Sequence, residues 1–256
     1  MMIWMKRFFT DLGGTYLDSL RAIKALPWLF AAIIGWEFAQ HIVEVRIGMF
    51  ESKEMARAVA DDGLRMAFGW VKMASLYVGA FFVIRHFVSQ RSNRVLAPLR
   101  SASLQYLPYL VYSLLAFAAI FYAPSILPEA HVDSFRTTIG LGQPLLEPLL
   151  IAWVVSAATD GRIGGPIASA RRLGLLYFLA LPFLLLARLP VSLLHQDLNQ
   201  TAMGSTGAEL WLTLAIDAVV VGIIASIVPA AMVRVAGWIE LRKPKKRQLE
   251  PAALPV

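Results

Sequence analysis

Six runs of mostly apolar residues, each about 20 or more long, alternate with shorter polar connections. They lie at about 26–48, 66–88, 104–123, 139–158, 173–195 and 209–237. A helix rising 1.5 Å per residue crosses roughly 30 Å of hydrocarbon in about 20 residues, so each run is long enough for one crossing. Together the six exceed what one water-soluble core of 256 residues could hide. The pattern predicts an all-α fold, a polytopic integral membrane protein with six transmembrane helices at 26–238.

Residues 1–25 follow a different rule. Trp4, Phe8, Leu12, Tyr16, Leu20 and Ile23 fall on one broad arc of a helix, flanked by Lys6, Arg7, Arg21 and Lys24. This is the arrangement of an amphipathic helix lying in the bilayer interface. The Gly13-Gly14 pair weakens it as one continuous helix. Met55 and Val59 predict a short surface helix between the first two runs. Pro124 and Pro128 end the third run, and Pro144 and Pro148 predict a kink or a broken first half in the fourth. Residues 239–256 read as a basic, partly disordered tail.

Composition sharpens the picture. Hydrophobic residues make up 58% and charged residues 16%, against roughly 25% charged in soluble domains. The chain has no cysteine, which removes disulfides, thiolate metal sites and cysteine nucleophiles together. The opening residues do not form the basic tip and compact apolar stretch of a cleavable signal peptide. No GxSxG elbow, HExxH, Walker loop or dinucleotide fingerprint occurs, and the sequence points to no cofactor.

The net charge of +7 suits anionic lipid headgroups rather than nucleic acid, because the basic residues flank apolar helices. Seventeen Lys and Arg fall on one set of connections: four in 1–25, four from Arg85 to Arg100, three from Arg162 to Arg172, and six from Arg234 to Arg247. The opposite connections hold four, Lys53, Arg57, Arg65 and Arg136. This partition predicts an even number of spans with both termini cytoplasmic, in a bacterial inner membrane. Arg171, Arg172, Arg242, Lys243, Lys245, Lys246 and Arg247 are the expected contacts to anionic lipid. Gly161 to Gly165 reads as a hinge or a phosphate cradle.

The candidate chemistry lies at membrane depth. On the first span Glu37, His41 and Glu44 sit at about 0°, 40° and −20° around the helix, with Gln40 beside them at about −60°. An ionised carboxylate facing lipid costs several kcal/mol, so this face is expected to meet protein or a water-filled cavity. Counting from the outer helix ends places Glu44 at roughly 6 Å, Lys72 at roughly 9 Å, Arg188 at roughly 10 Å, and Glu147 and Asp217 at roughly 12 Å. The depths suggest the pairs Glu44 with Lys72 and Asp217 with Arg188, leaving Glu37 and Glu147 over. Glu37, His41 and Glu44 also offer three metal-ligand types on one face, a weak pattern without ligands from a second helix. His86, His131 and His195 read as helix-end or loop residues too dispersed to complete it.

Three functions fit: a transporter or channel component for an ion or small polar solute, a non-catalytic subunit of a larger membrane complex, and an intramembrane enzyme acting on lipid through His41. Expected partners are bilayer lipids and either another membrane protein or a second copy of the chain. The N-terminal segment and the Ser169-Ala170-Arg171-Arg172 entry to the fifth span resemble those of compact six-span membrane domains of bacteria, the YciC-like type among them. That resemblance implies no roles for individual residues.

Overall fold

The computed structural model describes residues 2–91 and 95–242, and the fold over them is all-α. In chain order the helices are α1 (Met2–Ala25), α2 (Pro27–Arg46), α3 (Lys53–Ala58), α4 (Gly63–Arg91), α5 (Leu99–Phe121), α6 (Ala123–Ile126), α7 (Glu129–Thr159), α8 (Pro166–Leu173), α9 (Tyr177–Ala202) and α10 (Gly207–Leu241). Five segments are long and apolar enough to cross a membrane: α4, α5, α7, residues 166–202 including α9, and α10. A sixth is reached when α1 and α2 count as one unit, bent by 96°. This is a polytopic helical membrane architecture. α2 does not qualify on its own, with Glu37, Glu44 and Arg46 within its 20 residues.

The bend has a local cause. Pro27 opens α2 at a first-turn position, and Leu26 before it is non-helical (φ −124°, ψ 52°). α1 then folds back across α10. Thr15, Asp18, Ser19 and Ala22, four and three residues apart, form its buried stripe. Trp4, Phe8, Leu12, Tyr16 and Ile23 pack on the core. The apolar arc expected to face lipid is therefore mostly turned inward, with Leu20 left outside beside Met5, Phe9 and Leu17.

α10 is the central post, touching α1, α2, α4, α7 and α9. Small residues allow close approach on several sides, as membrane helix packing requires. Gly222 is the tightest of the glycines on α10: a Cβ there would lie 2.6 Å from Ile34 Cγ1 on α2. Gly222→Val should destabilise the protein by about 1–3 kcal/mol, read as a lower unfolding temperature in detergent. Ile34→Ala in the same chain should recover part of the loss. α5 lies outermost, with Leu104, Leu107, Val111 and Leu115 exposed, an apolar surface suited to acyl chains.

Two boundaries differ from the sequence reading. α7 begins at Glu129, and it runs as one helix through Pro144 and Pro148 rather than breaking there. α9 continues to Ala202, past the apolar run that ended at His195. Polar residues ended the apolar pattern without ending the helix. The surface helix α3 forms as expected, its N-terminus capped by Ser52, whose hydroxyl accepts from Met55 N–H at 3.1 Å. The Gly161–Gly165 turn spends donors internally. Ser156 Oγ accepts from Ile163 N–H at 2.9 Å and Asp160 accepts from Arg162 N–H at 3.2 Å.

Candidate functional site

The helical period brings Glu37, Gln40, His41 and Glu44 to one face of α2. That face turns inward, with the four residues 1%, 5%, 2% and 4% exposed. Opposite stand Arg65 and Lys72 from α4, Asp217 from α10, and His195 and Asn199 from α9. Asp217 is fully buried.

These side chains form one hydrogen-bonded chain. His195 Nδ1 lies 2.6 Å from Asp217 Oδ1, and Asn199 Nδ2 donates to Asp217 Oδ2 at 3.1 Å. Asp217 Oδ2 lies 3.1 Å from His41 Nε2, and His41 Nδ1 lies 3.0 Å from Glu44 Oε2. Glu44 Oε1 accepts from Gln40 at 2.9 Å and from Arg65 at 3.2 Å. Lys72 Nζ donates to Glu37 Oε1 at 3.1 Å, and that oxygen is 3.8 Å from His41 Nε2. The His41 ring thus has carboxylate oxygen at both nitrogens, so a proton, or a cation in its place, is wanted on each side.

The pairing differs from the one read from depth. Glu44 takes Arg65 and not Lys72, and Lys72 takes Glu37. Arg188 pairs with Glu147, leaving Asp217 to the two histidines. A depth along the membrane normal carries no information about rotation around it, and so could not choose the partners. Arg65, which the apolar pattern leaves in a connection, lies in the first turn of α4 and its guanidinium reaches Glu44. His195, which reads from the sequence as a helix-end residue too dispersed to take part, joins the network within α9, which stays helical to Ala202.

The five charges also divide into two groups. Glu147 and Arg188 line a separate cavity of about 260 Å³ together with Tyr77, Tyr109, Tyr112 and Gln143. Buried oxygens without a hydrogen-bond partner among the described residues are Glu37 Oε2, Gln40 Oε1 and Glu147 Oε1. Unpartnered buried acceptors cost free energy, so each marks a place where a proton, water or cation would be held. Donor atoms of Glu37, His41 and Asp217 all lie within 4.8 Å of one another.

A second ionic cluster ties α1 to the opposite end of α10. Arg234 donates to Asp11 at 2.5 Å and, through Nε, to Asp18 at 2.8 Å, and Trp238 Nε1 donates to Asp11 at 2.6 Å. Arg91 also pairs with Asp18. The signal was present in the sequence as Asp11, Thr15, Asp18 and Ala22 along one stripe. Of the residues expected to touch anionic lipid, Arg171 and Arg172 are exposed on α8, and Arg242 is exposed while donating to the Leu173 carbonyl at 3.2 Å. Lys243, Lys245, Lys246 and Arg247 lie outside the described residues. No protein-family model, no curated protein and no solved structure matches this chain.

Proposed function

We propose that the chain is a transporter or channel component that moves an ion or small polar solute across the membrane, with the His41-centred network as its polar site. The observation that carries this reading is the continuous hydrogen-bonded run of ionisable groups, His195–Asp217–His41–Glu44–Arg65, drawn from four helices and buried over its three middle members. Apolar side chains hold helices together at lower cost, and ionisable groups kept inside a membrane bundle typically serve ion or proton pathways. His195 gives the run an end facing outward, its side chain 36% exposed, while Asp217 next to it is fully covered. The tyrosine-lined cavity beside Glu147 and Arg188 supplies a second polar pocket for a small solute.

The competing readings fit less well. A lipid-acting enzyme needs His41 open to the bilayer, and it is 2% exposed. A docking subunit needs a small-residue or polar outer face, whereas α5 presents leucine and valine outward. In the proposed setting α1 lies in the cytoplasmic interface of a bacterial inner membrane, both termini are cytoplasmic, and Arg171, Arg172 and Arg242 meet anionic headgroups.

Proteoliposomes loaded with a pH-sensitive dye, or with fluorescent indicators for Na⁺, K⁺ and divalent cations, test the reading. The wild-type chain should pass at least one of these ions. Glu37→Gln should reduce that flux at least about 10-fold, the scale of losing one essential proton or ion ligand. Wild-type flux no greater than that of empty liposomes for every ion tried, or flux untouched by the substitution, overturns it.

A further inference from the structure

We infer that Glu37, His41 and Asp217 form a binding site for a divalent first-row transition metal ion, of the Zn²⁺ or Mn²⁺ kind. This deepens the transport reading by naming the class of ion at that site, and it rests on the same network.

The first ground is donor geometry. Ligands of a tetrahedral ion with bonds of about 2.0–2.1 Å stand roughly 3.3 Å apart. His41 Nε2 is 3.1 Å from Asp217 Oδ2 and 3.8 Å from the Oε1 edge of the Glu37 carboxylate, and one oxygen of each carboxylate lies with a ring nitrogen of His41 within 4.8 Å. Small side-chain adjustments bring them around one ion.

The second ground is independent of the cluster. Glu37 is 1% exposed, and its Oε2 has no partner although Oε1 is held by Lys72. One carboxylate can then serve both, with Lys72 on one oxygen and the metal on the other. An ion there would satisfy an acceptor that the protein's own described groups leave bare.

The surroundings are those of a metal site as well. A ligating histidine characteristically donates its other ring N–H to a carboxylate, which fixes the tautomer and raises ligand basicity. His41 Nδ1 meets Glu44 Oε2 at 3.0 Å, and Glu44 is itself held by Gln40 and Arg65. Asp217 is held in the same way by His195 and Asn199. One imidazole with two carboxylates favours Zn²⁺, Mn²⁺ or Fe²⁺ over Ca²⁺, which wants six or more oxygens, and no thiolate is present to select Cu⁺. Binding is an exchange: the ion enters on Nε2 of His41, and a proton occupying that nitrogen leaves to solvent.

The test uses the full chain, purified in mild detergent and stripped with a chelator. Zn²⁺ is titrated in competition with a chromophoric chelator, and Mn²⁺ is followed by its paramagnetic resonance signal. One ion per chain is expected for at least one of the two metals. Asp217→Asn and Glu37→Gln should each weaken binding at least 100-fold. Glu44→Gln should keep the stoichiometry with affinity reduced about 10–100-fold, and His86→Gln should leave binding unchanged. Elution volume and helical content, measured on every variant, identify those that fail to fold, and the Glu44→Gln result stands in for them. The inference is overturned if the wild type binds neither ion saturably, or if folded Asp217→Asn and Glu37→Gln bind like wild type. Metal binding without flux would sink the transport reading alone, and ion flux without metal binding would sink this inference alone.

Discussion

Asp217→Ala should lower the stability of the protein by about 3–5 kcal/mol, the usual cost of removing one partner from a buried charged group. Thermal unfolding in detergent should show it as a midpoint roughly 10 °C lower. Asp217 is fully buried and accepts from His195, Asn199 and His41 at once. Truncation leaves the His41 ring facing Glu37 and Glu44 with no partner on α10, and leaves Asn199 without its cross-helix acceptor. Asp217→Asn should cost less, since the amide oxygen still accepts one of these bonds. His41→Gln added to Asp217→Ala should cost much less than His41→Gln alone, because the two share an interaction. Equal costs in both backgrounds would mean that the two side chains do not meet.

Arg234→Leu should release α1 from the bundle. Arg234 bridges Asp11 and Asp18, and Asp18 is 3% exposed, so the substitution strands a buried carboxylate with Arg91 as its remaining cross-helix cation. A loss of about 3 kcal/mol is expected, concentrated in α1 rather than spread over the protein. Limited trypsin digestion at Arg7, Arg21 and Lys24, and amide hydrogen exchange across residues 4–25, should both accelerate several-fold. Exchange in α9 should change little. Uniform acceleration throughout the chain would instead make Arg234 part of the global core. Gly14 belongs to the same contact, because a Cβ there would overlap the Arg234 guanidinium. Of the glycine pair that weakens a free helix, Gly14 makes room for this docking contact, while Gly13 faces open space.

Most of the architecture was legible from apolar runs alone, because a bilayer imposes length and hydropathy on every crossing. Helix ends were less so. His195, Gln196, Asp197 and Asn199 ended the apolar pattern, yet the helix continued to Ala202. That extension holds Asn199 and the later turns of α9 against Asp217. The inward turn of Glu37, Gln40, His41 and Glu44 followed from a 3.6-residue period and the cost of bare charge in hydrocarbon. Which residues they would meet did not follow, since rotation and register between helices are set by packing that one sequence does not display. Arg65 and Lys72 differ by seven residues, nearly two turns, so both lie on the same face of α4. Glu37 and Glu44 are also seven apart, and the axial register of the antiparallel α2–α4 pair gives Glu44 the first and Glu37 the second.

The account depends on the polar side of α2 being sealed from lipid by α4, α9 and α10. Phospholipid carrying a diazirine in its acyl chain tests this on the unmodified protein in liposomes, since such probes react readily with carboxyl groups they can reach. After illumination and peptide mass spectrometry, adducts on α2 should fall on the exposed side, at Trp28, Ala31, Ala32 and Gly35, with none on Glu37, Glu44 or Asp217. Acyl adducts on Glu37 or Asp217 would contradict it.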